Sequence, residues 1–408
     1  MNGDMKSDNI TKNNAINRKK ILVVEDSALM RRVVCDIIEA DGRYVVEDMC
    51  SDGLQAYELL LKKTYDAILV DIVMPKMTGL ELLERLQKEG IGVSAVVAST
   101  LTQEGAKETM KALEFGAVDF VAKPTNFIEA RGEVYAQTLI KAIESAIKAD
   151  NNISLSSSRK SAPQKKDSVA VAAEAVRATL GARERVLASK PPEEKQPFVE
   201  PEKGKLRNNK HIGPTARNKL VALACSTGGP KALKSVVPYL PANLDAPVLI
   251  VQHMPKDFTA MMAEKLDAAS PLHVKEAAEG DIIRKGNVYV APGGKHMNVV
   301  QVGSEHKIKL TDEPLREGVK PCANYMYESL RSCNYDEVTC VVLTGMGADG
   351  TAGIRALAAE SNIYTIAQND ATCVVYGMPK AVYEAGLVNE VVPLEHVAEA
   401  IVKNVGVK

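Results

Sequence analysis

Short apolar runs that stop at a polar residue recur along this chain. One run, residues 67–70, ends at Asp71, and residues 74–79 then lead into a helix. Such a run is typical of a buried strand whose last residue leaves the core. Runs of the same kind alternate with segments of helical periodicity throughout the sequence. This alternation predicts an α/β protein built on parallel sheets with helices on both faces.

Length and composition limit the class of protein. The 408 residues are enough for two domains with full cores. Charged residues make up 25% of the chain and the net charge is −1, which gives no electrostatic reason to bind nucleic acid. The seven cysteines form no C-x-x-C pair, and we interpret them as reduced thiols. Without an apolar run near the roughly 18 residues of a membrane span, we expect a cytoplasmic protein with no membrane insertion.

The pattern divides the chain into four parts. Residues 1–18 are polar and predict a disordered tail. Residues 19–148 and 219–408 each repeat strand and helix signals, and each predicts a doubly wound α/β domain. Residues 149–218 are rich in Ser, Pro and charged side chains, which is typical of a long flexible linker.

Polar side chains stand at the carboxyl ends of four predicted strands in the first domain. The five predicted strands are residues 21–24, 44–47, 67–71, 95–98 and 118–122. The polar residues at their ends are Glu25, Asp26, Asp71, Ser99 and Lys123. Because the carboxyl ends of parallel strands share one edge of a sheet, we expect these side chains to converge on one crevice.

The chemistry of this set points to phosphoryl transfer. Three carboxylates repel one another unless a cation neutralises them, and oxygen ligands suit Mg²⁺. An aspartate beside a metal, a lysine and a hydroxyl can accept a phosphoryl group. Helix caps and a surface ion pair would explain each residue singly, but not their shared position at strand ends.

Three motifs in this domain resemble the receiver domain of two-component response regulators. They are residues 23–27 (VVEDS), 71–75 (DIVMP) and 121–124 (VAKP), and the resemblance covers about residues 19–127. It implies that Asp71 is the phosphoacceptor and that Glu25 and Asp26 help Asp71 to hold Mg²⁺. It also implies that the phosphate is sensed by Ser99, Lys123 and Phe120.

In the second domain, a serine follows the predicted strand at residues 220–225. Ser226 opens the sequence Ser-Thr-Gly-Gly-Pro and stands near a helix N-terminus, where the helix dipole favours negative charge. The segment departs from the Gly-x-Ser-x-Gly elbow because Ala224 occupies the place of the first glycine. Taken alone, a serine in this position is more often a helix cap than a nucleophile.

A histidine and an aspartate occupy equivalent places after two other predicted strands. His253 follows residues 248–252, and Asp349 lies in the Gly-rich loop 345–350. With Ser226 as nucleophile, His253 would move the proton and Asp349 would orient the imidazole. His296, in another Gly-rich loop, is an alternative base, and residues 299–310 predict a hairpin that walls the site. From the residues alone, a triad and a set of caps and core residues both remain open.

Glycines in the loop after the third of these strands suggest how an oxyanion would be bound. Gly345, Gly347 and Gly350 allow backbone N–H groups to point inward as donors.

Five motifs of the second domain resemble the catalytic domain of the chemotaxis methylesterase CheB family. They are residues 226–230 (STGGP), 252–254 (QHM), 291–293 (APG), 343–350 (LTGMGADG) and 375–379 (VYGMP). The resemblance spans most of residues 219–392. It implies the triad Ser226, His253 and Asp349, with Thr227 and Met346 in the loops that stabilise the oxyanion.

The combined resemblance implies a methylesterase regulated by phosphorylation. The expected substrates are glutamate γ-methyl esters of chemoreceptors, with deamidation of particular glutamines as a second reaction. The expected phosphodonor is a chemotaxis histidine kinase of the CheA type, and the esterase site should need no cofactor. A hydrolase of another ester or amide and a non-catalytic chemosensory adaptor are the alternatives. A DNA-binding regulator is disfavoured because the second domain lacks a helix-turn-helix signature and a basic surplus.

Overall fold

The computed structural model describes residues 18–157 and 212–408, without the side chains of residues 150–157. Almost all of the predicted tail, residues 1–18, lies outside the described residues, and so does most of the predicted linker, residues 149–218. No helix within the described ranges has both the length and the apolar character needed to cross a membrane.

The first unit is a five-stranded parallel sheet in the order β2-β1-β3-β4-β5. Its elements are β1 (Lys19–Val24), α1 (Ala28–Ala40), β2 (Tyr44–Cys50), α2 (Gly53–Leu60), β3 (Ala67–Asp71), α3 (Gly79–Glu89), β4 (Ala95–Ser99), α4 (Gln103–Glu114), β5 (Asp119–Ala122), α5 (Phe127–Ala130) and α6 (Glu133–Ser157). The predicted doubly wound sheet of the first domain is confirmed.

Two elements of this unit are longer than the sequence suggests. β2 continues past residue 47 to Cys50, because Asp48, Met49 and Cys50 pair with β1 again after a register shift at Glu47. α6 runs past residue 148 to Ser157, so the start of the predicted linker is helical. One face of this helix is buried against the sheet. The buried residues of that face are Tyr135, Leu139, Ala142, Ile143 and Ala146.

The turn after β3 sets the position of Asp71. Thr78 caps α3 through a capping box with Glu81, which pairs backbone N–H groups that the helix start leaves free. A Cβ on Gly79 would lie 2.2 Å from the carbonyl oxygen of Asp71, so only glycine allows the helix to begin this close to the strand end.

The second unit is a seven-stranded parallel sheet in the order β14-β13-β12-β6-β7-β9-β8, with a separate antiparallel hairpin. Its elements are β6 (Lys219–Cys225), α7 (Gly229–Lys234), β7 (Val248–Gln252), α8 (Phe258–Ala269), β8 (His273–Glu276), β9 (Asn287–Val290), β10 (His296–Val302), β11 (Glu305–Thr311), α9 (Ala323–Ser329), β12 (Glu337–Val342), α10 (Thr351–Ala358), β13 (Ile363–Gln368), α11 (Met378–Glu384), β14 (Glu390–Val392) and α12 (Val397–Val405). The hairpin of β10 and β11 corresponds to the one predicted at residues 299–310.

The position of β6 in the middle of the sheet explains the unbroken apolar run in its sequence. All seven of its residues are buried. Alternate side chains enter two different cores: Val221, Leu223 and Cys225 on one face and Leu220, Ala222 and Ala224 on the other. A strand with both faces covered has no solvent side on which to place polar residues.

The two units share apolar surface. Ala106 and Met110 of α4 belong to the same buried cluster as Phe258 and Met262 of α8. Because β12, β6 and β7 lie side by side, the residues that follow them meet at one edge of the second sheet.

Candidate active site

Ser226 follows β6 in a tight turn that glycines make possible. Its backbone N–H donates to the carbonyl of Thr344 at 3.0 Å. Gly228 adopts φ = 78°, a left-handed conformation that favours glycine, and α7 begins at the next residue. A Cβ on Gly345 would lie 2.8 Å from the Cβ of Ser226. The loop after β12 therefore packs directly on the serine.

His253 and Asp349 form a hydrogen-bonded pair at the same sheet edge. The Nε2 atom of His253 lies 2.8 Å from the Oδ2 atom of Asp349. Since Asp349 occupies Nε2, Nδ1 is the ring nitrogen that remains to exchange a proton with a substrate or with Ser226. Within the described part of the chain, the Ser226 hydroxyl makes no hydrogen bond to His253. Catalytic hydrogen bonds of this kind often tighten only when substrate binds.

The carboxylate of Asp349 is held by four donors besides His253. The backbone N–H groups of Ala323, Asn324 and Gly350 donate at 2.6, 3.0 and 2.8 Å, and the thiol of Cys322 lies 3.0 Å from Oδ1. Burial acts to raise the pKa of Asp349, but the hydrogen bonds from His253, Cys322 and Ala323 outweigh it and lower the pKa to about 2. The site thus keeps an ionised carboxylate against the imidazole.

His296 does not fit the alternative role of general base. Its side chain is fully buried. Nδ1 accepts the backbone N–H of Cys322, and Nε2 faces the carbonyl oxygens of Glu313 and Pro314. Burial also lowers the pKa of His296. Both ring nitrogens are occupied, so the structure leaves His253 as the accessible histidine of the pair.

The glycine N–H groups expected to bind an oxyanion are partly engaged elsewhere. Gly345 donates to the carbonyl of Val375, and Gly350 donates to Asp349 and Asn324. The expectation for these two glycines was wrong, because they build the loop and the carboxylate cradle instead. Within residues 18–157 and 212–408, the backbone N–H groups of Thr227, Met346 and Gly347 have no hydrogen-bond partner, and they lie next to Ser226 or in the loop packed on it.

A second cluster of charged side chains lies at the edge of the first sheet. One carboxylate oxygen from each of Glu25, Asp26 and Asp71 lies within 4.8 Å of the others. The ammonium of Lys123 lies 2.6 Å from Asp71 and 3.0 Å from Glu25. Burial raises the pKa of both Glu25 and Asp71, although Lys123 opposes the shift. Three carboxylates at this spacing, two of them buried and one, Asp26, exposed, fit a divalent cation such as Mg²⁺.

The other two predicted sensing residues lie in different surroundings. Ser99 is buried, and its hydroxyl donates to the carbonyl of Gly105 at 3.0 Å. Phe120 stacks on Phe258 of the second unit, with ring centroids 4.8 Å apart and planes 5° apart. The structure therefore brings Lys123 to Asp71, while Ser99 contacts α4 and Phe120 lies at the contact between the two units.

Residues of the first unit contact the loops around Ser226. The hydroxyl of Thr227 donates to Asp119 at 2.6 Å. The hydroxyl of Ser145 lies 3.5 Å from the Thr227 hydroxyl and 3.5 Å from the sulfur of Met346. Burial raises the pKa of Asp119, and its hydrogen bond with Thr227 opposes that shift. We refer to Asp119, Ser145, Thr227 and Met346 as the interdomain contact.

Comparison with known proteins identifies the family. The model of the response regulator receiver domain matches residues 21–134, and the model of the CheB methylesterase matches residues 221–401. A protein-glutamate methylesterase/protein-glutamine glutaminase of Geobacillus kaustophilus is 36% identical over 95% of this chain and 99% of that protein. The chain belongs to the CheB methylesterase family.

Two further comparisons give similar sequence identities. A protein-glutamate methylesterase/protein-glutamine glutaminase of Pyrococcus abyssi is 37% identical over 95% of this chain and 93% of that protein. The crystal structure of the Thermotoga maritima CheB methylesterase catalytic domain is 36% identical over 45% of this chain and 97% of that chain, with a TM-score of 0.44. The family is one of hydrolases, and this member carries a receiver domain in the same chain.

Sequence reasoning missed the residues that support Asp349 and the interdomain contact. Cys322 and Asn324 lie in a segment without a recognisable motif, and Ser145 lies in the last part of the first domain, to which the sequence analysis assigned no role. Asp119 had a signal: it is a charged residue inside a predicted buried strand. Such a residue needs a partner, and here the partner is the Thr227 hydroxyl in the other domain.

Proposed function

We propose that this chain is a protein-glutamate methylesterase and protein-glutamine glutaminase whose esterase site is controlled by phosphorylation of Asp71. The observation that carries the proposal is the position of the interdomain contact. Receiver residues Asp119 and Ser145 bind the residue next to Ser226 and the side chain of Met346. A regulatory domain thus touches the loops of a Ser, His and Asp constellation.

In the proposed reaction, Ser226 attacks the carbonyl carbon of a glutamate γ-methyl ester. His253 accepts the serine proton at Nδ1, while Asp349 stabilises the imidazolium through Nε2. The negative charge on the carbonyl oxygen is bound by the free N–H groups of the Thr227 and Met346 loops. The tetrahedral intermediate then breaks its C–O bond, and methanol leaves with the proton from His253.

The second half of the reaction regenerates the enzyme. Water loses a proton to His253 and attacks the acyl-serine, and the glutamate carboxyl group is released as Ser226 recovers its proton. The same acyl-enzyme forms from a glutamine when ammonia is the leaving group, which accounts for deamidation. None of these steps calls for a metal or an organic cofactor at the esterase site.

Phosphorylation of the receiver would use the acidic cluster. Glu25, Asp26 and Asp71 would hold Mg²⁺, which neutralises charge on the transferring phosphoryl oxygens. Lys123 already pairs with Asp71 and would pair with the phosphoryl group instead. Ser99 would leave the carbonyl of Gly105 to bind the same group.

Those movements would disturb the surface between the receiver and the esterase domain. Ser99 is bonded to α4, and α4 and Phe120 pack on α8 of the esterase domain. A shift of this surface would weaken the interdomain contact and open the loops around Ser226 to a large substrate. The unphosphorylated receiver would therefore inhibit the esterase.

The proposed partners follow from the family and the receiver. Methylated chemoreceptors would be the substrates, and a chemotaxis histidine kinase of the CheA type would be the phosphodonor. We propose that the chain meets both of these partners in the cytoplasm.

Methanol release from methylated receptor membranes tests the proposal. The wild type should release methanol faster with a small phosphodonor, Ser226→Ala should release none, and Asp71→Ala should keep only the basal rate. Ser235→Ala, a neighbouring serine at the end of α7, is the matched control and should behave as wild type. Phosphorylation without methanol release from receptors would contradict the assignment and favour a different ester or an adaptor role.

A further inference from the structure

One buried histidine has no part in the proposed reaction. His296 opens β10 and its side chain is fully buried, with its ring centroid 4.5 Å from that of Tyr325. Burying an imidazole is costly unless its polar atoms are paired, so its contacts define its role.

The contacts of His296 specify its tautomer. Nε2 lies 3.2 and 3.3 Å from the carbonyl oxygens of Glu313 and Pro314, which can only accept. Nε2 therefore carries the proton. Nδ1 lies 3.2 Å from the backbone nitrogen of Cys322, which can only donate, so Nδ1 must be bare. The ring is thus neutral, and it ties the loop at residues 313–314 to Cys322.

The segment that begins at Cys322 is the one that holds Asp349. The Cys322 thiol and the N–H groups of Ala323 and Asn324 supply three of the contacts to that carboxylate. Asp349 in turn contacts His253. An unbroken series of hydrogen bonds therefore runs from His296 through Cys322 to the catalytic imidazole.

We propose that His296 is a positioning residue for the esterase reaction, acting through the Cys322 N–H to hold the donors that orient Asp349. The inference rests on the proposed roles of Ser226, His253 and Asp349. If Nδ1 is lost, the buried N–H of Cys322 has no acceptor and the segment moves to find one. A displaced Asp349 then misplaces the His253 ring, and an error of about 1 Å in such a site costs on the order of 100-fold in rate.

Two variants of similar chemistry distinguish the loss of the Nδ1 acceptor from a change in packing. In His296→Asn, the amide oxygen can take the place of Nδ1 and accept from Cys322. In His296→Gln, the longer side chain reaches the Nε2 position and cannot place an acceptor at Nδ1. His296→Phe keeps a ring but removes both polar atoms. The matched control is His306→Phe, because His306 is also buried and stacked on a tyrosine, Tyr335, but has no contact with Asp349.

The measurements are kcat and KM for a methyl-ester peptide and the low-field proton resonance of the His253–Asp349 hydrogen bond. The inference predicts that kcat falls about 10- to 100-fold in His296→Phe and His296→Gln with little change in KM. His296→Asn should retain most of the rate, and His306→Phe should match wild type. The low-field resonance should shift or broaden in the Phe and Gln variants of His296 only.

Each result bears on the inference. Equal kcat values for His296→Asn and His296→Gln, with an unmoved low-field resonance, would overturn it. If His296→Phe fails to fold, the Asn and Gln pair still decides the question. Full activity in Ser226→Ala would instead refute the proposed function, and the proton resonance would still report whether His296 orients Asp349.

Discussion

At the scale of single residues, the proposed esterase site depends on one ionised carboxylate. Asp349 is only 3% exposed, yet five hydrogen bonds favour its charged form. Three of those donors belong to one short segment, residues 322–324. The position of the His253 ring therefore depends on groups that are far from it in sequence. Most of these groups are backbone N–H donors, which lose little conformational entropy when they bind the carboxylate.

The carboxylate should make folding depend on acid. The pKa of Asp349 is lowered from 3.8 to about 2 in the folded protein, so its stabilising effect is complete above pH 4 and is lost as the pH falls towards 2. The loss amounts to about 2 kcal/mol of the free energy of unfolding. Denaturant unfolding of wild type and Asp349→Asn should show the wild type losing this much more stability between pH 4 and pH 2.

Asp370→Asn serves as the control for this measurement, since Asp370 is exposed. Its stability should follow the wild-type dependence on pH. Parallel curves for wild type and Asp349→Asn would mean that the carboxylate is not preferentially ionised in the folded state.

At the scale of elements, β5 and α4 connect the two domains. β5 begins with Asp119 and Phe120, which contact Thr227 and Phe258. At the end of α4, Glu114 pairs with Lys234 of α7 and Lys265 of α8. β5 pairs with the strand that ends at Ser99 and directly precedes Lys123, and Ser99 bonds to α4. The proposed phosphorylation site and the contact with the esterase domain therefore share these two elements.

Asp119→Asn should raise the basal esterase rate on receptors. The change weakens a charge-assisted hydrogen bond worth about 1.5–3 kcal/mol, and this loss favours the open arrangement by about tenfold or more. Glu114→Gln is the comparison, because it removes exposed ion pairs worth about 0–1 kcal/mol each and should have a smaller effect that high salt abolishes. Methanol release without phosphodonor measures both. An unchanged basal rate in Asp119→Asn, with normal stability, would show that this contact does not inhibit the enzyme.

At the scale of the whole molecule, two different chemistries are joined in one chain. In the proposed function, the receiver uses a cation beside three carboxylates, and the esterase uses an imidazole beside one carboxylate. The cluster of Glu25, Asp26 and Asp71 lies at the edge of the first sheet, while Asp349 lies at the edge of the second. The cation should therefore matter for regulation alone.

Removal of divalent cations with EDTA should abolish stimulation by phosphodonor and leave the basal esterase rate unchanged. Asp26→Asn should raise the Mg²⁺ concentration needed for stimulation, because it removes an exposed ligand and keeps Asp71 intact. Titration of methanol release against Mg²⁺ measures both effects. A fall in the basal rate on chelation, reversed by Mg²⁺, would argue against separate chemistries.

The sequence by itself determined the fold class and the principal chemical groups. Buried strands with both faces covered leave continuous apolar runs, and parallel strands place the residues after them at one edge. Asp71, Lys123, Ser226, His253 and Asp349 could therefore be found from local patterns and strand ends. Local periodicity also predicted some of the helices, including the one after the first strand, while no pattern along the chain predicted that α6 would continue past residue 148.

Only the tertiary structure decided which groups are paired with which. The Cys322 segment reaches Asp349, His296 reaches Cys322, and Asp119 reaches Thr227 across large separations in sequence. Hydrogen bonds of this kind join atoms about 3 Å apart in space, and they produce no periodic pattern in the sequence from which they could be predicted. The tertiary structure also disfavours His296 as the general base, because its burial and its occupied ring nitrogens depend on what folds around it.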